Sequence, residues 1–211
     1  MKKKLVAIIV AIGLMAVVFS AGCTSNVSNN TSPSPSASPQ PTQDPNFVAK
    51  NTSGYLTYGN RSAGFTVQYP PSWQVAETNS TVDFSLFVNT GTASGVVARV
   101  TLTKPIEIPE SATNIMTLKN YSELMLSSFV KTRSTPDYKL LSSSNSTLAG
   151  YPALETVYTY TAYRGDPSQT LFKATLANHS AYSISYAGIQ NYYPANLETA
   201  QNMIQSFNIV S

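Results

Sequence analysis

The side chains that most often carry catalysis are scarce in this 211-residue chain. It has a single histidine, His179, which lies between Asn178 and Ser180 in a stretch typical of a tight turn. A Ser-His-Asp hydrolase needs a histidine beside its nucleophile. The sequence also has no G-x-S-x-G, H-E-x-x-H or glycine-rich phosphate loop. We therefore expect a protein that is not an enzyme and that uses no cofactor.

Acidic side chains are the remaining candidates for chemistry. Glycoside hydrolysis needs two carboxylates that face each other across a cleft. Glu107 and Glu110 are flanked by Pro105 and Pro109, which predicts a solvated rim instead. Scattered carboxylates could still bind a hard cation, although no segment has the spacing of a calcium loop, and we predict no metal site. The carboxylates considered are Asp83, Glu107, Glu110, Asp137, Glu155 and Asp166.

Tyrosine is unusually frequent, with 13 residues. Tyr158 and Tyr160 share one face of a predicted strand, and Tyr182 and Tyr186 share one face of another. If exposed, these four rings would suit binding of a protein or a glycan, because a tyrosine combines an apolar ring with a polar hydroxyl. The alternative is ordinary packing within a sheet, since tyrosine favours strands.

Charge and cysteine content exclude several classes of protein. The net charge of +3 includes Lys2, Lys3 and Lys4; without them Lys plus Arg falls from 13 to 10, against 10 Asp plus Glu. No cluster of cations remains after residue 4, so we expect no binding of nucleic acid. The single cysteine, Cys23, permits no disulfide within the chain and no paired-cysteine metal or redox site.

The first 22 residues have the pattern of an export signal. Three lysines precede 15 uncharged, mostly apolar residues at 5–19, and small residues then lead to Cys23. Residues 20–23 (SAGC) resemble the lipobox of prokaryotic lipoproteins, in which the peptide is cut before a cysteine that carries lipid, with Ser20 where an aliphatic residue is usual. Alternatives are an uncleaved anchor, since residues 5–22 are just long enough to span a membrane, and plain secretion. We predict a domain on the outer face of the cell membrane, lipid-anchored at Cys23.

Residues 23–49 are predicted to be a disordered tether between the signal and the folded domain. They contain five prolines and many Ser, Thr and Asn residues but few apolar side chains. Such a composition cannot bury enough surface to fold, and proline makes it a semi-rigid spacer. The predicted organisation is therefore a signal peptide at 1–22, a tether at 23–49 and one domain at 50–211.

Asn-x-Ser/Thr sequons are abundant: nine of 16 asparagines begin one. With this content of Ser and Thr, chance would give about four. The excess favours a glycosylating surface, and together with the lipobox it points to an archaeal cell; the alternative is an accident of a hydroxyl-rich chain. Three sequons lie in the tether, and those in the domain begin at Asn51, Asn60, Asn79, Asn120, Asn145 and Asn178.

The elements of the domain follow from hydrophobic periodicity. Period-two alternation predicts strands at 64–69, 82–88 and 96–103, and four more at 138–143, 153–163, 170–178 and 181–187. Residues 117–133 carry apolar side chains on one helical face, with Thr117 as a candidate N-cap, and a last helix begins near Pro194. Strands joined by short turns predict an antiparallel sheet covered by two helices, an α+β domain.

Three segments resemble those of PsbP-like domains. Residues 64–73 (GFTVQYPPSW) are similar to the opening motif of that family, 148–153 (LAGYPA) to its central turn, and 203–209 (MIQSFNI) to its closing helix. The resemblance implies the Mog1/PsbP-like α-β-α sandwich, a central antiparallel sheet with helices on its faces. The family includes an extrinsic subunit of photosystem II and many prokaryotic lipoproteins. The photosynthetic role is not carried over, because the N-terminal segments differ. Phe65 and Trp73 are expected in the core and Gly150 in a turn.

The first functional interpretation is a membrane-tethered, extracellular, non-enzymatic lipoprotein domain that binds a protein partner or assists a surface complex. The alternative is a lipoprotein that binds a small ligand or glycan, and a carboxylate-dependent hydrolase is the third interpretation. A partner-binding domain should expose an apolar patch, and a ligand-binding domain should have a concave pocket with convergent polar groups. An enzyme should bring carboxylates together.

Overall fold

The computed structural model describes residues 54–89, 94–133, 137–162 and 165–210. The predicted signal peptide, the tether, Cys23 and Asn51 lie outside these residues and stay predictions. Within the described ranges, no helix has both the length and the apolar character that crossing a membrane requires.

Ten strands and three helices make up the described part of the chain. The helices are α1 (Glu110–Thr113), α2 (Leu118–Arg133) and α3 (Tyr193–Ser206). The strands are β1 (Leu56–Asn60), β2 (Phe65–Tyr69), β3 (Gln74–Glu77), β4 (Thr81–Asn89), β5 (Ser94–Glu107), β6 (Lys139–Leu148), β7 (Tyr151–Thr161), β8 (Pro167–Ala177), β9 (Ser180–Ile189) and β10 (Asn208–Ile209).

The strands form two antiparallel sheets. The large sheet has seven strands in the order β3-β4-β5-β9-β8-β7-β6, and the small sheet has the order β1-β2-β10. Every paired strand runs antiparallel to its neighbour. The predicted antiparallel α+β fold is therefore confirmed, and β3 and β6 are the two edges of the large sheet.

Each face of the large sheet has its own core. Ile184 and Leu102, which are directly paired, face α3 and the small sheet, where Phe65 and Met203 are also buried. Phe172 of β8 lies on the opposite face of the sheet, where it packs with Tyr121 of α2. Because the two helices lie on opposite faces, the expected α-β-α sandwich is confirmed.

Two hairpin turns in the large sheet use residues with positive φ. Ala149 and Gly150 have φ of 52° and 82°, and Asn178 and His179 have φ of 49° and 58°. Two consecutive positive φ angles are typical of the tight turns whose twist suits a hairpin. Gly150 and His179 thus lie in turns, as the sequence predicted.

Some boundaries differ from the predictions. Strands β7 and β8 begin at Tyr151 and Pro167, earlier than expected, because proline is tolerated in the first residues of a strand. Strand β6 continues through Leu148, five residues past the predicted end, although its polar residues show no alternation.

Thr117 caps α2 as predicted, since its Oγ1 accepts from the backbone N–H of Asn120 at 3.1 Å. Trp73 and Phe65 are buried in the core as expected.

Candidate functional site

Two of the candidate carboxylates pair with basic side chains. Asp83 lies 3.7 Å from the Arg99 guanidinium, and Glu155 lies 3.0 Å from Nζ of Lys173. Glu107 and Glu110 are exposed, which agrees with the predicted rim. No group of three His, Cys, Asp or Glu residues that could hold a metal ion occurs in the part of the chain that the structure describes. Among the described residues, two of the six candidate carboxylates are thus already engaged by cations.

The four candidate binding tyrosines are all buried, at 4%, 9%, 6% and 0% exposure for Tyr158, Tyr160, Tyr182 and Tyr186. The exposed patch that binding through these rings would need is absent at these positions. The first two rings pack under α2 against Phe129, and the last two lie in the core on the α3 side. These rings cannot touch a partner in this structure, and packing within the sheet accounts for them.

The Tyr186 side chain shows how complete this burial is. Its hydroxyl donates to the Tyr193 carbonyl at 2.8 Å, and the two rings stack with centroids 4.7 Å apart. Burial raises the pKa of Tyr186 above its usual value and raises the pKa of Tyr193 to about 12. Both hydroxyls therefore stay neutral at ordinary pH and serve the fold.

The larger concavity is a cleft of about 510 Å³ between the β6–β7 turn and the end of α3. Lys173 is the one charged side chain in its lining, and its ammonium already pairs with Glu155. The aromatic residue of the lining, Phe207, is only 3% exposed. The cleft thus offers a ligand hydroxyls and amides but neither a free charge nor an open aromatic face.

The sequons of the domain differ in accessibility. Asn79, Asn120, Asn145 and Asn178 are exposed, whereas Asn60 is only 8% exposed. The Asn60 amide donates to Glu77 at 3.0 Å, and its oxygen accepts from the Ala63 N–H at 2.9 Å. Both ends of this amide are engaged inside the folded domain, so Asn60 is not an accessible glycan acceptor in this structure.

Glu77 closes one edge of the large sheet. This residue ends β3, the short edge strand, and its carboxylate accepts from the Tyr58 hydroxyl at 2.6 Å as well as from Asn60. Lys104 of β5 adds an ion pair at 2.6 Å. The first two partners belong to β1, so the small sheet is fastened to the end of the large one.

Strand β6 forms the opposite edge, and we call residues 139–148 the β6 edge. It is ten residues long, and most of its side chains are exposed. Leu140 and Leu141 are 51% and 48% exposed, and Leu141 has no pairing partner on β7 because of a bulge. This edge is the site that sequence reasoning missed, although two adjacent leucines before a run of hydroxyl residues were its signal. Its adjacent leucines are an exposed apolar feature of the kind that a protein partner can contact.

Comparisons with known proteins bear on the fold. No protein-family model matches the chain, and no curated protein matches it. Among solved structures, cyanobacterial PsbP (CyanoP) from Synechocystis sp. PCC 6803 is 12% identical with a TM-score of 0.57, over 75% of this chain and 94% of that chain.

Two further structures align with lower scores. LpqN of Mycobacterium tuberculosis, involved in cell envelope biogenesis, is 10% identical with a TM-score of 0.47, over 70% of this chain and 83% of that chain. PA94 of Pseudomonas aeruginosa, a protein of unknown function, is 16% identical with a TM-score of 0.46, over 72% and 94%. Identities this low speak for fold alone, and the similarity to CyanoP carries the conclusion. The described domain has a PsbP-like fold, as the three sequence motifs implied.

Proposed function

We propose that this protein is a lipoprotein of the outer face of the cell membrane, held by lipid on Cys23, whose domain is not an enzyme. It acts by binding protein and serves as an accessory to a surface complex. The export signal and the cysteine support the location, and the proline-rich tether supports a domain held away from the membrane.

One observation carries the binding role: the β6 edge presents two exposed leucines beside an open strand. An edge strand offers backbone N–H and C=O groups that another chain can pair with. These leucines provide the exposed apolar surface expected of a partner-binding domain. The cleft supports the ligand-binding alternative less, because its lysine is already paired with Glu155.

The exposed sequons fit the proposed location. Asn79, Asn120, Asn145 and Asn178 are the candidates for glycosylation on an archaeal surface, because an acceptor asparagine must be accessible. Intact-mass analysis of the protein from its own membranes would test this. Glycan at these asparagines and not at Asn60 is the expected result.

Crosslinking on intact native membranes, followed by mass spectrometry, tests the binding role. An amine-reactive reagent can report on Lys139, which is exposed at the start of the β6 edge. Lys119 of α2 is a matched control, since its side chain is 79% exposed and lies on a helix. We expect recurrent crosslinks from Lys139 to one protein, and an N-terminal peptide that begins at a lipidated Cys23. Reproducible crosslinks from neither lysine, in abundant protein, would contradict the proposal.

A further inference from the structure

The β6 edge lacks the features by which proteins usually protect a free strand. Proteins shorten such strands, place charges or proline on them, or cover them. Strand β6 has ten residues, no proline and a single charge, at Lys139. Its bulge lies near its beginning, between Leu140 and Ser142, and leaves Ser142 to Leu148 in regular pairing with β7. A regular, uncharged strand of this length is suited to pairing with another strand.

The residues of this strand are complementary to themselves. Ser144 pairs with Glu155 and so lies on the α3 side of the sheet, with Ser142 and Ser146 two residues away on the same side. Ser143 and Asn145 lie on the α2 side. An antiparallel partner related by a two-fold axis at Ser144 would set Ser142 opposite Ser146 and Ser143 opposite Asn145. Every pair would join residues on the same face, and no like charges would meet.

We propose that the β6 edge pairs with β6 of a second copy of this chain, antiparallel about a two-fold axis at Ser144. The two seven-stranded sheets would then form one continuous sheet of 14 strands. Such a contact is the same patch on both subunits, the commonest way in which identical chains assemble. The inference rests on the proposed function, since it names the partner of that same edge.

Other occupants of the edge fit less well. The chain's own tether has five prolines between residues 33 and 45, and proline has no N–H to donate to a neighbouring strand. An unrelated peptide would be selected by side-chain pockets along the edge. The larger cleft reaches only Thr147 and Leu148 of this strand. A second copy needs no pocket, because its own β6 is a strand of equal length with the same free edge.

Cysteine crosslinking of the full chain in native membranes tests the pairing. Ser144→Cys places two thiols opposite each other at the axis, and cross-strand Cβ atoms lie within reach of a disulfide. Gln74→Cys is the matched control, because Gln74 is exposed on β3, the other edge strand. The unmodified chain, with Cys23 alone, reports any disulfide through that residue. Asn145→Gln, combined with Ser144→Cys, removes any glycan at this sequon.

Mild oxidation should give about tenfold more covalent dimer with Ser144→Cys than with Gln74→Cys, since only the axis position meets its own copy. Coexpressed Ser143→Cys and Asn145→Cys chains should crosslink to each other more than to themselves. Equal, low dimer yields from both edges, with and without Asn145→Gln, would overturn the pairing. If Lys139 then still crosslinks to a different protein, the proposed binding role survives without it. If it crosslinks to nothing, both proposals fall.

Discussion

The two edge strands of the large sheet differ in how far neighbouring elements protect them. Strand β3 has four residues and ends in Glu77, whose carboxylate is bound by Tyr58, Asn60 and Lys104. Strand β6 has ten residues, and its own side chains are mostly exposed. The β3 edge is therefore protected by neighbouring elements, through side chains that reach across from β1 and β5. No comparable element reaches the β6 edge among the described residues, and this difference makes it the candidate for assembly.

Replacing Glu77 should have the largest effect on this contrast. Glu77→Ala removes the acceptor of two hydrogen bonds and one ion pair. We expect a loss of about 2 kcal/mol in the free energy of unfolding, a modest sum because the carboxylate is partly exposed. Glu123→Ala is the control, since its pair with Lys119 is long and exposed, and it should cost less than about 0.5 kcal/mol. Urea unfolding would measure both, and equal losses would contradict the assigned role of Glu77.

The sequon asparagines Asn60 and Asn145 should respond unequally to substitution. Asn60→Asp removes the donor to Glu77 and sets two carboxylates side by side, and about 1 kcal/mol of stability should be lost at neutral pH. Asn145→Asp changes an exposed side chain of β6 and should stay within about 0.5 kcal/mol. Chemical unfolding of both variants gives the comparison. A larger loss at Asn145 than at Asn60 would contradict the stabilising role assigned to the Asn60 amide.

A charge on the open edge should abolish assembly while sparing the fold. Leu141→Lys alters a side chain that is 48% exposed, so the free energy of unfolding should move by less than about 0.5 kcal/mol. Combined with Ser144→Cys, it should reduce the covalent dimer to the yield of Gln74→Cys, because edge lysines disfavour pairing. Leu141→Val should leave the yield unchanged. Undiminished dimer with the lysine variant would place the contact elsewhere.

The smallest effect should come from Asp137, which precedes β6. The Thr161 hydroxyl donates to its carboxylate and lowers its pKa below the ordinary value of 3.8. A lowered pKa favours the ionised form in the folded state, so this contribution is present above about pH 4 and is lost as the pH falls through the folded pKa. Asp137→Asn should therefore lower stability slightly at neutral pH, and the difference from the unmodified protein should vanish in acid. A difference that persists in acid would assign the effect to something other than ionisation.

The sequence predicted the sheet well because alternation and turn residues are local signals. It could not predict how the strands lie in register against the helices. Tyr158 and Tyr182 each share a face with a second tyrosine, as expected, yet the two pairs lie on opposite sides of the sheet under different helices. Which face a helix covers depends on long-range packing, so the sequence alone left both exposure and packing open for these rings.

The edges were still harder to predict. Asn60 has the sequence of a sequon, but its role depends on Glu77, which lies 17 residues away in the chain and on another strand. The length of β6 was underestimated because a strand with an open edge and few buried side chains has no apolar alternation. The adjacent Leu140 and Leu141 were the side-chain signal of this edge, and the strand order was needed to recognise it.

The pairing of β10 with β2 also constrains the order in which the domain folds. Asn208 and Ile209 complete the small sheet beside Thr66 and Phe65. The Ser206 hydroxyl accepts from the backbone N–H of Gln68, which lies 138 residues earlier in the chain. Contacts across so long a separation form late, because closing the loop costs entropy before any contact repays it. A chain that emerges from its N-terminal end cannot close this sheet until residue 209 has arrived. The seven strands of the large sheet end at Ile189, so they can be in place before the small sheet is closed.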